Sequence, residues 1–168
     1  GKRVAVVTIS NETAFGPETV SETISRAITM HFVKNIKKID VISQGQIANW
    51  MDQNGFGEPD PLKLGQGLNA DYVMMLRISD YSIHDGKTLY KGHCNYKIDV
   101  YSMSEKGRLV FSRGPLEFTF PRDGRPAIES SEQRFEAFYL TRLSDRIARL
   151  FYEYDLTEDA AMDAQLMQ

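Results

Sequence analysis

The chain has 168 residues, 42% of them hydrophobic and 26% charged, with a net charge of −3 and an isoelectric point near 5.6. That length suits one domain, able to bury roughly 70% of its unfolded surface, and the acidic balance argues against a nucleic-acid binder, which shows a basic excess on one face. A single cysteine, Cys94, excludes an internal disulfide and a multi-thiolate zinc site, and no apolar run approaches the ~20 residues that span a bilayer.

Val4, Val6, Val7 and Ile9 make a near-continuous apolar strand over residues 3–9, the pattern of a strand covered on both faces. A polar link closed by Gly16-Pro17 leads to a helix expected at residues 19–35. Val20, Ile24, Ala27, Ile28, His31 and Phe32 fall there at helical spacing, with Thr19 and Glu22 as a capping box. A short apolar strand follows at 39–43. Ser43 and Gln46 form a second capping box, opening a helix that turns Ile47, Trp50 and Met51 inward and that Asn54-Gly55 stops. Asp60-Pro61 starts a brief third helix, with Asp as N-cap and Pro at the first helical position.

From Asn69 the period becomes two. Tyr72, Met74, Leu76 and Ile78 line one face of a strand whose other face carries Val73 and Met75, then Arg77 and Ser79. Asp85-Gly86 supplies a tight turn. The next strand sets Tyr90, Cys94, Tyr96, Ile98 and Val100 against a wet face of Lys91, His93, Asn95, Lys97 and Asp99. A third strand, residues 109–120, is interrupted by Gly114-Pro115, the mark of a bulge or an edge position. Ser130 and Gln133 cap a last helix over 130–155, with a seam of Leu140, Leu143, Ile147, Leu150 and Tyr154. Residues 1–155 thus read as one domain and residues 156–168 as an acidic tail. The expected fold is α/β with α+β character: a mixed sheet of about five strands, element order β-α-β-α-α-β-β-β-α. The early strand–helix–strand unit gives a parallel pair, and the late strands form an antiparallel meander, an anticodon-binding-domain-like arrangement.

No catalytic signature lies on this order. The turn after Ile9 has neither a G-x-G-x-x-G nor a G-x-x-x-x-G-K-[ST] pattern, so no nucleotide cofactor is expected. The three histidines are not paired at ligand spacing, and no metal is expected. His31 reads as a core or boundary residue, His84 with Asp85 and Asp80 as turn chemistry, and His93 as solvated surface. Cys94 falls on the apolar register and reads as a buried small hydrophobe. Arg134, Arg142, Arg146 and Arg149, interspersed with Glu132, Glu136, Asp145 and Glu153, read as a salt-bridged solvent face. Phe15 and Phe56 each sit in a polar, glycine-containing loop. Such aromatics fold back onto the core or, where they stay exposed, anchor contacts. Both readings stay open.

Arg3-Val4-Ala5-Val6-Val7, Ile24-Ser25-Arg26-Ala27-Ile28, Ile39-Asp40-Val41-Ile42-Ser43 and Asn69-Ala70-Asp71-Tyr72-Val73, in that order, resemble a family of bacterial envelope domains. These are the amino-terminal domain of TolB, the lipoprotein activators of penicillin-binding proteins and the soluble part of the curli secretion channel CsgG. The resemblance spans residues 3–155 and implies a non-enzymatic interaction module of a periplasmic or outer-membrane assembly, whose partner is another envelope protein. Two features depart from the family. The lipid-accepting cysteine is absent, either trimmed away or never present, and Gly1 in place of Met reads as a cleavage scar. The turn at 84–88 is too short for the long hairpins of the channel proteins. Under this reading the contact residues are Phe15, Phe56, Arg122 and Arg125, the arginines offering bidentate donors to an acidic partner. The alternative is a small-ligand-binding or enzymatic domain using the crevice at the carboxyl ends of the first two strands, residues 10–15 and 43–46. A third option is an anticodon-binding-like nucleic-acid module, which the acidic balance disfavours.

Overall fold

The valine-rich opening forms β1 (Lys2–Ser10), followed by α1 (Val20–Asn35), β2 (Ile39–Val41), α2 (Gln44–Gln53) and α3 (Pro61–Gly67). Then come the long strands β3 (Tyr72–Asp85), β4 (Leu89–Ser102) and β5 (Arg108–Phe120), α4 (Glu132–Ala148) and a 3-10 turn at Arg149–Phe151. This computed structural model describes residues 1–10, 20–55, 57–87, 89–121 and 131–152. The five strands make one sheet in the order β2-β1-β3-β4-β5. β1 runs parallel to both β2 and β3, while β3–β4 and β4–β5 are antiparallel. The mixed sheet and late meander are as the periodicity predicts.

Because β1 and the first half of β3 are apolar on both sides, each face needs a cover. On one face α1 and α4 bury Val6, Met74, Leu76, Ile78, Cys94, Tyr96 and Ile98 against Ile24, Ile28, Phe135, Tyr139, Leu143 and Ile147. On the other, α2 and α3 cover Ala5, Val7, Val73 and Met75 with Ile47 and Leu64. The short helices start as their caps direct: Ser43 Oγ accepts from the Gln46 amide, and the Asp60 side chain accepts from the Leu62 amide. At the amino-terminal end of β1, Arg3 donates to the carbonyls of Leu68 and Asn69 and to Asp40, while its own amide donates to Asp71. One side chain thereby ties β1, β2 and the α3–β3 link together.

Four details differ from the sequence reading. β2 is three residues long rather than five. The last helix is capped by Ser131, whose side chain accepts from the Arg134 amide, one residue later than the expected Ser130. Its apolar seam begins earlier, at Phe135 and Tyr139, while Leu150 lies in the 3-10 turn and is exposed. β3 changes phase: between the pairs Ser79↔Asn95 and Ser82↔His93, a bulge with Asp80 at φ 52° sets Asp80 and Tyr81 against the single Cys94 on β4. Tyr81 and Ile83 thereby continue the buried face that Ile78 leaves. The Gly114-Pro115 interruption is both a bulge, opposite Lys97, and part of an edge strand. The expected tail, 156–168, lies outside the described residues.

Gly92 is where the helix layer meets the sheet most closely. A Cβ there would fall 1.9 Å from the Tyr139 ring, which lies against the bare backbone, stacks on Phe118 at 5.3 Å and donates its hydroxyl to the Phe118 carbonyl at 2.8 Å. Burial pushes up the pKa of both Tyr139 and neighbouring Cys94, so both stay protonated. Gly92→Ala is expected to cost about 2–3 kcal/mol by overpacking, measured by urea denaturation. Thiol labelling of Cys94, fully buried in the native protein, should be slow and should accelerate in the variant.

Candidate functional site

β3 pairs with β1 from Val4↔Tyr72 to Ser10↔Ile78, but β2 pairs with β1 only as far as Val4↔Val41. Beyond that point the outer edge of β1 runs into a cleft of about 380 Å³ between α1 and α2. Its floor is Val7 and Thr8. Ser21, Glu22, Ser25 and Arg26 form the α1 wall, and Gln44, Gly45, Ile47, Ala48, Met51 and Asp52 the α2 wall. It overlaps the crevice expected at the carboxyl ends of the first two strands at Gln44 and Gly45, while residues 11–15 of that expectation lie outside the described residues. Thr8 Oγ1 and the buried Ser25 Oγ lie 2.6 Å apart and satisfy one another.

A second polar region lies on the α2/α3 side, where those helices stop short of the antiparallel strands. Asp99, expected on a wet face, is only 3% exposed. It accepts from Ser112 Oγ at 2.6 Å and Arg77 Nη1 at 3.2 Å, with Lys97 Nζ at 3.8 Å. The other arm of Arg77 pairs with Glu58. A shallow cleft of about 470 Å³ beside this network is lined by Glu58, Asp60, Arg77, Tyr101 and Lys106 among others. Further along, Asn95 donates to Asp80, and His93 Nδ1 sits 3.2 Å from Thr119 Oγ1. These groups answer one another in pairs.

The arginine-rich stretch of α4 is a solvent face only at its start, where Glu132 and Arg134 are exposed. Asp145 is 3% exposed, with Arg149 Nε at 2.8 Å and Arg142 Nη1 at 3.7 Å from its Oδ2, and both arginine side chains are buried. From α1, His31 Nδ1 reaches to 4.0 Å of Asp145 Oδ1. Helical i,i+3 and i,i+4 spacing is the same for exposed and buried ion pairs, so the sequence held no sign of the difference. Burial lowers the basicity of His31, helped by Arg149 and Lys34; Asp145 pulls the other way and is outweighed.

Of the contact residues expected from the sequence, Phe15, Phe56, Arg122 and Arg125 all lie outside the described residues. β1 and β5 run in the same direction, so the links after Ser10 and after Pro121 leave the same end of the sheet, while Phe56 falls between Gly55 and Gly57, both at positive φ. The exposed edge strand β5 carries Leu109, Val110 and Leu116 at 46%, 41% and 37% exposure. Its bulges and Pro115 guard it against strand addition. Among the described residues, no three His, Cys, Asp or Glu side chains converge as metal ligands would, and no helix is long and apolar enough to cross a membrane.

No family model matches the sequence, and neither does any curated protein. The fold is shared with solved structures. Lipoprotein GNA1162 from Neisseria meningitidis matches with a TM-score of 0.56 at 14% identity, over 89% of this chain and 99% of that one. Protein XCC0632 from Xanthomonas campestris gives 0.54 at 12% identity, over 98% and 88%. PelC from Paraburkholderia phytofirmans, a dodecamer, gives 0.52 at 12% identity, over 91% and 89%. At these identities the likeness is one of fold, and it includes a bacterial lipoprotein, as the sequence resemblance implies.

Two outcomes follow from the α1–α4 contact. A histidine held neutral by the fold titrates below its unfolded value near 6.5, so the unfolded chain takes up the proton first. The stability this gives is complete above pH 6.5 and is lost as pH falls from there through the lower folded value. The urea midpoint should therefore drop between pH 7 and 5, and His31→Gln should flatten that drop. Asp145→Asn, which leaves two buried guanidinium groups without their carboxylate, is expected to cost about 3–5 kcal/mol in the same assay at pH 7.

Proposed function

We propose that this chain is a non-enzymatic interaction module of a bacterial cell-envelope assembly, periplasmic or outer-membrane associated, whose partner is another envelope protein. The observation that carries this reading is the fold shared with a bacterial lipoprotein over nearly the full length of both chains. The internal pairing of the polar groups supports it. Arg77, Asp99 and Glu58 are committed to one another, as are Asp145 and its arginines, in arrangements that hold structure together.

The contact surface in this reading is built from loops, because the helix seams and the inner strands are taken up by the two cores. Phe15 with Arg122 and Arg125, on links that leave one end of the sheet, and Phe56, between α2 and α3, supply aromatic area and bidentate donors.

The test has two arms. The natural full-length gene product is expected in the envelope fraction of its bacterium, and recovery in the cytosol would overturn the placement. Phe15→Ser and Phe56→Ser are each expected to leave the melting temperature within a few degrees and to weaken cross-linking to an envelope protein in intact cells. Collapse of stability in both variants would make them core residues and defeat the contact assignment.

A further inference from the structure

We infer that residues 153–168 dock on the carboxyl-terminal end of α1, where four lysines gather beside two exposed apolar side chains. Charge is shared unevenly along this chain. Residues 153–168 hold five of its 23 acidic residues and none of its 20 basic ones, so that segment is negative and the rest of the chain is net positive. Four of the nine lysines lie at one end of the molecule. Lys34 is in the last turn of α1, Lys37 and Lys38 join α1 to β2, and the Lys2 amide donates to the Lys38 carbonyl at 3.1 Å. All four are exposed, and none is in an ion pair with a described residue. Asp40, two positions after Lys38, is held by Arg3 at 2.8 Å. The acid closest to the cluster in the chain is thus already answered, and the lysines present a positive surface.

The same part of α1 carries the two most exposed large hydrophobic residues among those described, Met30 at 72% and Val33 at 61%. With Lys34 they stand at i, i+3 and i+4, so they share one helix face. A single exposed apolar side chain is ordinary, but a pair bordered by lysines suits a segment that is both acidic and apolar. Residues 153–168 have that composition, their acids interspersed with Leu156, Met162, Leu166 and Met167. The described chain also ends at the right place. Phe151 packs on Phe32, in the last turn of α1, at 5.5 Å, so the following residues leave beside Lys34. Their sixteen residues can extend to about 50 Å, against about 24 Å for the whole of α1, and reach does not limit the contact. Tethering there holds the acids near the lysines at high effective concentration. An acidic protein in solution has to compete with that, and this is why the occupant is the chain's own segment. The contact is independent of the envelope reading.

The first measurement is zero-length carbodiimide coupling of the full chain at low salt and high dilution, read by peptide mass spectrometry. Lys34, Lys37 and Lys38 should carry most of the coupled tail peptides, and raising the salt should cut the yield roughly fivefold. No coupling, coupling spread evenly over all the lysines, or coupling between chains instead of within one would overturn the inference. The double variant Met30→Glu, Val33→Glu leaves the lysines in place and, because both positions are exposed, should keep its melting temperature. Its yield at those lysines should fall roughly threefold, by loss of apolar contact and like-charge repulsion. An unchanged yield would mean attraction of charges without docking, and would also overturn it. The second measurement replaces Asp155, Glu158, Asp159 and Asp163 by their amides in the full chain. The backbone amide resonances of residues 33–38 should shift while those of α2 and α3 stay in place, and unchanged resonances at 33–38 would defeat the inference.

Discussion

Parallel strands cannot be joined by a tight turn, and the pair at the centre of this sheet, β1 with β3, is reached only through the chain between them, which has to lie on the faces of those two strands. Both faces of that pair are apolar, so each must be sealed. α1 takes one face and is joined there by α4; α2 and α3 take the other. The rest of the architecture follows from how far each cover reaches.

The reach is unequal. β1 ends opposite Ile78, yet β3, β4 and β5 continue beyond it to Asp85, Leu89 and Phe120. α4 follows this wing on one face, and Tyr139 closes it by lying on Gly92. Among the described residues, no helix covers the opposite face of the wing. Nearer the centre on that face, where α2 and α3 stop short of β4 and β5, Asp99, Arg77 and Ser112 satisfy each other, because a carboxylate pressed against a sheet is costly without donors. On the other side of the centre, β2 is too short to cover β1, and Gln44 takes its place at the Val6 carbonyl. The two unfinished borders of the sheet thus differ in kind: β5 is long, bulged and guarded by Pro115, whereas the edge of β1 is recessed between two helices.

The ion cluster around Asp145 is a different consequence of the same crowding. α4 is enclosed on more than its apolar seam, so charges that an isolated helix would show to water are buried together. Such a cluster adds little net stability compared with an apolar packing, but losing one member is costly. It also makes His31 the place where the α1–α4 contact responds to acid.

The order of the elements, the caps at Ser43 and Asp60 and the two-period strands were legible in the residues, because local hydrogen bonding and alternation act within a few positions. The phase change in β3 was not: the alternation was read only as far as Ile78, and the bulge at Asp80 is what carries Tyr81 and Ile83 back to the same face. Among the candidate sites, the crevice beside β1 could be expected from the parallel pair, but its depth depends on β2 stopping at Val41, and Ile42 and Ser43 are no less suited to a strand than the residues before them. The burial of Arg142, Asp145 and Asp99 left no trace in the sequence, since the same spacings serve exposed and enclosed charges alike. The sequence by itself determined which segments are helices and strands and which of their faces are apolar. Tertiary structure alone decided which polar residues were enclosed with them, because that depends on where one element ends against another, a distance no local pattern encodes.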